Sequence, residues 1–348
     1  MTKIVIDAMG GDFAPYEQIK GTVDALNKDA DLSVILCGDE TQIKAELAKY
    51  EYDTSRVEIV HTSEVITMED APALAVKTKK DSSLVVAFNI LKENKADGLV
   101  SSGSTGAVLT AAVTRIGRIK GISRPALCPS MPNGKNGTTL LCDCGANLEC
   151  KPVYLQHFAI LATAYAQARG ISQNPTVGLL NNGTEDHKGD LVHQEANALL
   201  KEMSCINYVG NVEGREIMSG DVDVVVSDGY TGNIALKSIE GTAKAMGGIM
   251  KKSFKRNFFT KLRSLFVLDV VGNIKKSFDY EAQGGAVLLG LPKAVVKGHG
   301  NSKAKSFAAC IAQATDCVRG DMVRKVEEML QKVNAEAAAK EVAEGKND

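Results

Sequence analysis

Residues 98–113 read GLVSSGSTGAVLTAAV, and this stretch indicates the fold class of the chain. It passes from a short apolar run, through a segment rich in Gly, Ser and Thr, into apolar residues at helical spacing. Four of these residues share one helical face: Val108, Leu109, Ala112 and Val113. The pattern predicts a strand at 98–101, a loop at 101–107 (SSGSTGA) and a helix beginning near Gly106. A strand leading into a helix in this way is the repeating unit of a parallel sheet covered by helices.

The same alternation continues in both directions along the chain. Apolar, β-branched runs predict further strands at 3–8, 32–37, 57–61, 176–180 and 223–227. Helical periodicity separates them, so we expect an α/β protein with a mostly parallel sheet. No repeat or low-complexity linker divides the sequence, which favours a single domain with subdomains over residues 1–333, including a basic segment at 251–275. The charged, Ala-rich residues 334–348 are expected to form a frayed tail.

The composition is that of a soluble globular protein with almost no net charge. Of 348 residues, 44% are hydrophobic and 24% are charged, and the formal net charge is −1. Because there is no net positive field, no Trp and only 5% aromatic residues, we do not expect nucleic-acid binding. The N-terminus lacks a signal-peptide pattern and no apolar stretch is long enough to cross a bilayer, which predicts a cytoplasmic protein.

The eight cysteines are too sparse for a disulfide scaffold and fit a reducing compartment. Three lie close together in CDCGANLEC: Cys142, Cys144 and Cys150. They lack the second Cys or His pair that a zinc site usually needs, so we interpret them as small buried side chains. We expect no metal and no cofactor.

Four polar loops follow predicted strands, at 9–15 (MGGDFAP), 101–107, 181–189 and 228–233, and ligands of open α/β sheets lie at the carboxyl ends of strands. In SSGSTGA, glycines let the backbone approach a ligand, and Ser104, Thr105 and Gly106 are placed to bind phosphate at a helix start. The loop lacks both the Gly-Lys-Ser/Thr of a P-loop and the spacing of a dinucleotide fingerprint. A tight strand-to-helix turn with an N-cap would explain the same residues.

The other loops supply most of the ionisable candidates. Loop 181–189 (NNGTEDHKG) brings Asn182, Asp186, His187 and Lys188 together. A cation there could neutralise phosphate and a histidine could transfer a proton, whereas a solvated polar loop is the alternative. Loop 228–233 (DGYTGN) offers Asp228, Gly232 and Asn233, whose amide can donate to a developing oxyanion. In GHGNS, His299 is either another proton carrier or a hydrogen-bonded structural histidine.

Residues 251–268 (KKSFKRNFFTKLRSLFVL) differ from the rest of the chain. Apolar residues recur on one helical face: Phe254, Phe258, Leu262, Leu265 and Phe266. Basic residues accompany them without any acid, Lys255 and Arg256 among them. Such a helix is typical of a surface that meets an anionic membrane or an acidic partner. A helix packed on the core or across a dimer interface would show the same stripe.

Six blocks in this sequence resemble the bacterial phosphate acyltransferases that use acyl-acyl carrier protein. The blocks are IDAMGGD at 6–12, SSGSTGA, DCGAN at 143–147, NNGTEDHKG, SDGYTGN at 227–233 and LGLPKAVVKGHGNS at 289–302. They occur in the family's order, and the similarity runs from about residue 3 to about residue 330. Several independent blocks are much more specific than one glycine-rich loop.

The resemblance implies a three-layer fold like that of isocitrate and isopropylmalate dehydrogenases and phosphotransacetylases, in a homodimer. It also implies transfer of a long-chain fatty acyl group from acyl carrier protein to inorganic phosphate. The acyl phosphate would feed a membrane glycerol-3-phosphate acyltransferase in phospholipid synthesis. Peripheral association with the membrane is implied as well, which agrees with the basic stretch.

Phosphate is itself a nucleophile, so such an enzyme must position an anion against a thioester and stabilise an oxyanion. We expect Lys188 to be the phosphate or oxyanion cation and Asn233 its neutral partner, with His187 beside them. The other candidates would hold or shape the substrate site: Ser104, Thr105, Gly106, Asp143, Asn147, Asn182, Asp186, Asp228, Gly232 and His299.

Three other functions remain to be distinguished from this one. A phosphotransacetylase-like enzyme would use a coenzyme A thioester in place of acyl carrier protein. A dehydrogenase of the same fold is disfavoured by the missing dinucleotide fingerprint. A non-catalytic, membrane-docked scaffold of lipid synthesis would have no use for Lys, His and Asn gathered after strands.

Overall fold

The computed structural model describes residues 1–254 and 283–344 together with Gly272. The strands are β1 (Thr2–Asp7), β2 (Leu32–Gly38), β3 (Val57–His61), β4 (Gly98–Ser101), β5 (Ala126–Pro132), β6 (Thr138–Cys142), β7 (Thr176–Leu180), β8 (Asn207–Val212), β9 (Val224–Val226), β10 (Ala286–Leu289) and β11 (Ala294–Lys297). The helices are α1 (Tyr16–Lys28), α2 (Glu40–Leu47), α3 (Pro72–Thr78), α4 (Ser83–Lys92), α5 (Thr105–Ala111), α6 (Pro152–Ala168), α7 (Leu191–Lys201), α8 (Gly229–Phe254), α9 (Ala304–Arg319) and α10 (Met322–Glu344).

All these strands form one sheet in the order β3-β2-β1-β4-β11-β10-β5-β6-β9-β7-β8. Most neighbours are parallel, but β10 is antiparallel to both β11 and β5, and β6 is antiparallel to β5. The strands β6, β9, β7 and β8 therefore run opposite to β1, β4 and β11. Because β5 pairs with β10 through residues 126–129 and with β6 through 130–132, the two halves of the sheet join within this one strand.

Helices cover both faces of the sheet and bury it. On one face α1, α2, α6, α7, α9 and α10 pack on a core that includes Phe158, Tyr165 and Phe307. On the other face α3, α4 and α5 pack around Phe88. A smaller cluster joins α8 to β5, β6 and β9 through Met131, Val225 and Leu236. Burial of both faces explains why the parallel strands are almost continuously apolar.

The predicted strands are confirmed, with boundaries that differ by at most one residue at each end. The prediction gave no bounds for β8 or for the strands that take part in antiparallel pairs, which are β5, β6, β10 and β11. The helix α10 passes residue 334 and continues to Glu344, so the predicted tail begins inside a helix. Within the described part of the chain, no helix is both long enough and apolar enough to span a membrane.

Candidate functional site

Three glycine-bearing loops meet beyond the carboxyl ends of β1, β4 and β11. Asp7, at the end of β1, is buried and accepts hydrogen bonds of 2.6 Å from the Ser83 and Ser101 hydroxyls. Burial raises the pKa of the Asp7 carboxyl above its usual range. A Cβ on Gly10 would lie 2.8 Å from the Gly103 nitrogen, so the loops cross with no room for a side chain. We did not select Asp7 from the sequence, although it is the only acid inside the apolar run 3–8.

The SSGSTGA loop keeps hydroxyl groups that its own turn does not use. Ser104 occupies the N-cap position of α5, but its side chain makes no capping hydrogen bond, and Thr105 is exposed. The Ser102 hydroxyl is buried and has no hydrogen-bond partner within the described part of the chain. Gly106 faces α3, where a Cβ would lie 2.7 Å from the Pro72 Cγ. The hydroxyls therefore remain available to a ligand, while Gly106 also has a packing role.

Asp143 organises the DCGAN loop, in which Asn147 is its main partner. The Asp143 carboxylate accepts backbone hydrogen bonds from Leu127, Ala146 and Asn147, and a 2.9 Å bond from the Asn147 side chain. Burial raises the pKa of the Asp143 carboxyl, and these hydrogen bonds lower it. Since Asn147 also donates to the Pro125 carbonyl, both side chains are engaged in holding the loop.

The DCGAN loop lies against the start of α8. The Gly229 nitrogen donates to the Asn147 carbonyl at 2.8 Å, and a Cβ on Gly232 would lie only 2.0 Å from the Asp143 carbonyl oxygen. Asn233 is beside the loop, because a Cβ on Gly145 would be 3.7 Å from the Asn233 Cγ. Asp228 accepts hydrogen bonds from the nitrogens of residues 230 and 231 and so caps the helix.

The loop 181–189 closes on itself, and two of its four predicted site residues hold it in place. Asn182 accepts a hydrogen bond from the Gly189 nitrogen. Asp186 makes a 2.5 Å ion pair with Lys201, which lowers the pKa of its carboxyl, so Asp186 anchors the loop to α7. The His187 side chain is exposed. Lys188 is half-buried, and no carboxylate of the described residues lies within 4.0 Å of its Nζ.

His193 connects that loop to α8, and we did not select it from the sequence. Its Nδ1 lies 2.7 Å from an Asp190 oxygen, and its Nε2 lies 3.8 Å from an Asp228 oxygen. A Cβ on Gly189 would be 2.8 Å from the His193 Cβ, so the loop packs against the start of the His193 side chain. Asp190 also caps α7 through the His193 nitrogen. The Asp-x-x-His spacing at a helix start was the available signal.

The loop after β11 faces α8 from the other half of the sheet. The His299 Nε2 lies 4.0 Å from a Glu240 oxygen of α8, and the two residues border a polar cavity of about 330 Å³. A neighbouring groove is largely apolar and is lined mainly by β5 and α8, with His299 at one side: Pro129, Met131, Pro132, Met218, Leu236 and Ile239. Lys297, at the end of β11, is buried, and burial lowers the pKa of its ammonium to about 8. We did not select Lys297 from the sequence.

These loops are brought together by α8 and the DCGAN loop, not by one edge of the sheet. The strands β4 and β11 run opposite to β6, β7 and β9, so their carboxyl ends point in opposite directions along the sheet. Loop 181–189 contacts His193, which faces Asp228, and α8 continues to Asn233 beside Gly145. Ala146 then lines one small pocket with Thr105 and Lys297. Successive contacts thus connect loop 181–189, the start of α8, the DCGAN loop and the start of α5, which carry most of the predicted residues.

The basic stretch falls mostly outside the described residues. Phe254 is the last residue of α8 and is half-buried. Lys255, Arg256, Phe258, Leu262 and Leu265 lie outside the part of the chain that the structure describes.

The cysteines of CDCGANLEC are not arranged as a metal site. Cys142 and Cys144 are buried, and burial raises the pKa of both thiols; it raises that of Cys150 to about 12. Across residues 1–254 and 283–344, no group of three or more His, Cys, Asp or Glu side chains could hold a metal ion.

Known proteins match this chain over nearly its whole length. The sequence model of the family described as "Fatty acid synthesis protein" matches residues 2–325. The phosphate acyltransferase of Clostridioides difficile (strain 630) is 42% identical over 334 residues, covering 96% of this chain and 98% of that protein. The phosphate acyltransferase of Dictyoglomus turgidum (strain DSM 6724 / Z-1310) is 41% identical over 331 residues, covering 95% and 98%.

Solved structures with the same fold are more distant in sequence. A phosphotransacetylase from Streptococcus pyogenes has a TM-score of 0.63 at 18% identity, covering 91% of this chain and 94% of that chain. The EutD phosphotransacetylase from Staphylococcus aureus has a TM-score of 0.60 at 19% identity, covering 92% and 94%. These two similarities establish the α/β fold with a mostly parallel sheet. The extent of the sequence matches shows that this chain belongs to the fatty acid synthesis protein family, the family of the phosphate acyltransferases.

Proposed function

We propose that this enzyme transfers a long-chain fatty acyl group from the thioester of acyl-acyl carrier protein to inorganic phosphate. The acyl phosphate supplies phospholipid synthesis through a membrane glycerol-3-phosphate acyltransferase. One observation supports this most strongly: Lys188, which makes no ion pair with any described residue, the amide of Asn233 and the hydroxyls of Ser104 and Thr105 lie on elements that contact one another. Such a set binds an anion and stabilises an oxyanion without supplying a nucleophile.

In the proposed reaction a phosphate oxygen attacks the thioester carbonyl carbon. A C–O bond forms, and the carbonyl oxygen becomes an oxyanion that the Asn233 amide and the Lys188 ammonium stabilise. The C–S bond then breaks, the carbonyl is restored, and the carrier-protein thiolate leaves and takes up a proton. His187, which is exposed beside Lys188, is proposed to supply that proton. Ser104 and Thr105 donate hydrogen bonds to the phosphate, and Asp143 with Asn147 holds the wall of the site.

We propose that the acyl chain lies in the apolar groove between β5 and α8. The groove is lined by Met131, Leu236 and Ile239 and extends to His299, where the polar cavity begins. An apolar groove that reaches a polar site is what a fatty thioester requires, since its chain is apolar and its reacting end is not.

The finer features of the assembly are also proposals. We propose the three-layer arrangement of isocitrate and isopropylmalate dehydrogenases and a homodimer in the cytoplasm. A dimer is supported by large apolar side chains on α8 that are at least half exposed: Ile234, Met246 and Ile249.

Release of the carrier-protein thiol in the presence of added phosphate tests the proposed reaction. We expect the purified chain to release thiol from acyl-acyl carrier protein only when phosphate is present, with acyl phosphate as the second product. The same assay with acyl-coenzyme A distinguishes the phosphotransacetylase-like alternative, which predicts faster turnover of that thioester. No phosphate-dependent release from either donor would refute the proposed function and favour a scaffold.

We also propose that residues 251–268 bind an anionic membrane surface. This rests on the sequence pattern of an apolar stripe flanked by basic residues. We expect the chain to float with vesicles containing phosphatidylglycerol and to stay behind with purely zwitterionic vesicles. Phe258→Glu together with Leu262→Glu should abolish flotation, because both changes place charge on the apolar stripe. Equal flotation of this variant and the unaltered chain would exclude the stretch as the membrane contact.

A further inference from the structure

Lys297 is a buried lysine that the reaction described above does not use. It is the last residue of β11, stands opposite Ser101 in the parallel pairing with β4, and is 8% exposed. We infer that its ammonium is the cation that binds the attacking phosphate, in a subsite with the hydroxyls of Ser102 and Thr105. This inference rests on the proposed function, and it leaves Lys188 to stabilise the oxyanion.

The two hydroxyl groups lie near the end of β11 through separate contacts. Thr105 lines the same small pocket as Lys297, and the rest of that lining is apolar: Val108, Leu109, Leu127, Ala146 and Leu288. The Lys297 Nζ donates to the Gly298 carbonyl, and the Ser102 hydroxyl packs against Gly298, where a Cβ would lie 2.4 Å from its oxygen. The Ser102 hydroxyl is completely buried and has no hydrogen-bond partner among the residues that the structure describes. Thr62 and Thr163 also carry such hydroxyls, and Ser102 is the one that lies against Gly298, where a ligand could complete it.

The charges around Lys297 do not neutralise its ammonium. Among the described residues, three titratable groups act on its pKa through their charge: Asp12 from the loop after β1, Cys310 from α9 and Lys237 from α8. Burial raises the pKa of the Cys310 thiol to about 12, so it is neutral, and Asp7 is engaged with two serine hydroxyls. No carboxylate of the described residues lies within 4.0 Å of the Lys297 Nζ.

An uncompensated buried ammonium is unfavourable for the fold. An apolar side chain of similar length would fill the same space without the loss of hydration. A lysine that only donates to the Gly298 carbonyl would therefore lower the stability of the fold and add a single hydrogen bond. A bound anion would supply the negative charge that pairs with the Lys297 ammonium. Dianionic phosphate is the anion that the proposed reaction consumes.

Lys297→Met tests the inference, and Lys293→Met, at the other end of β11, is its matched control. We expect Lys297→Met to raise the KM for phosphate at least about tenfold, because a charge-assisted contact is lost. Its Tm without phosphate should rise by about 3 °C, because a buried charge is removed. Lys297→Arg, which keeps the charge, should recover part of the phosphate affinity. Lys293→Met should match the unaltered chain in both measurements.

The pH dependence of the same variants adds a signature that packing alone does not produce. The pKa of Lys297 is lowered to about 8 from an ordinary value of 10.5, so burial of the ammonium costs stability below about pH 8. That cost disappears as pH rises from 8 to 10.5, and the Tm advantage of Lys297→Met should shrink over this window. Phosphate affinity should fall above about pH 8 in the unaltered chain and should not do so in Lys297→Arg.

A readout without catalysis separates this inference from the proposed function. Saturating inorganic phosphate should raise the Tm of the unaltered chain and leave that of Lys297→Met unchanged. If phosphate raises the Tm in this pattern but no thiol is released, the anion site stands and the proposed reaction fails. An unchanged phosphate KM in Lys297→Met, or an equal Tm shift, would overturn the inference. A large fall in the Tm of ligand-free Lys297→Met would overturn the inference too, because the Lys297 ammonium would then stabilise the folded protein without any phosphate.

Discussion

Lys188→Ala and Asn233→Ala are each expected to lower the turnover number about 100-fold. Both side chains are proposed to meet the oxyanion, and loss of one such donor typically costs a factor of this size. Lys188 has no ion pair among the described residues, and Asn233 lies beside the glycine of the DCGAN loop. Neither substitution removes a contact that the fold needs, so the Tm should change by no more than about 2 °C.

The measurement is the steady-state rate of phosphate-dependent thiol release, with KM determined separately for each substrate. An effect on turnover with little effect on either KM would place both residues in transition-state stabilisation. Lys28→Ala, which removes an exposed lysine at the end of α1, is the matched control and should leave the rate unchanged. Two folded variants with rates within threefold of the control would exclude both residues from catalysis.

Gly232→Ala is expected to destabilise the protein by about 3 kcal/mol and to lower turnover about 100-fold. The added methyl group would lie 2.0 Å from the Asp143 carbonyl oxygen, so α8 and the DCGAN loop must move apart. This loop cannot yield easily, because the Asp143 carboxylate is bonded to three backbone nitrogens and to Asn147. The displacement would carry Asn233 away from its position.

Gly247→Ala is the control for this substitution. It adds the same methyl group to α8 at an exposed position where no side chain of the described residues lies within 4 Å, so helix propensity alone should stabilise it by about 0.5–1 kcal/mol. Urea unfolding and thiol release measured on both variants compare the two positions directly. Equal stability of Gly232→Ala and Gly247→Ala would show that the contact between α8 and the DCGAN loop is not close in solution.

The two predictions separate residues that hold the loops of the site from residues that are proposed to contact the substrate. These residues looked equivalent in the sequence. Asp143, Asn147, Asp228 and Asp186 were all expected to bind or shape the substrate site. In the structure their side chains already form hydrogen bonds or an ion pair with other residues of the protein. Lys188 and Asn233 remain the proposed contacts with substrate, because Lys188 has no ion pair among the described residues and Asn233 lies beside Gly145.

The sequence by itself determined the local units of this protein. A run such as GLVS followed by SSGSTGA predicts a strand, a turn and a helix start. The spacing of apolar residues and the positions of glycines can be read from neighbouring residues alone. The strands at Gly98–Ser101, Val57–His61 and Thr176–Leu180 were therefore predictable to the residue. The family resemblance also came from such blocks and implied which loops matter.

Only the tertiary structure decided how those units face one another. Strand direction depends on which strand a segment pairs with, so the antiparallel β5, β6 and β10 and the opposed halves of the sheet left no local signal. The same holds for Lys297, whose sequence AVVK looks like any strand that ends in solvent. It is buried because loops and helices distant in the sequence close around it, and burial and neighbouring charge set the chemistry of an ammonium.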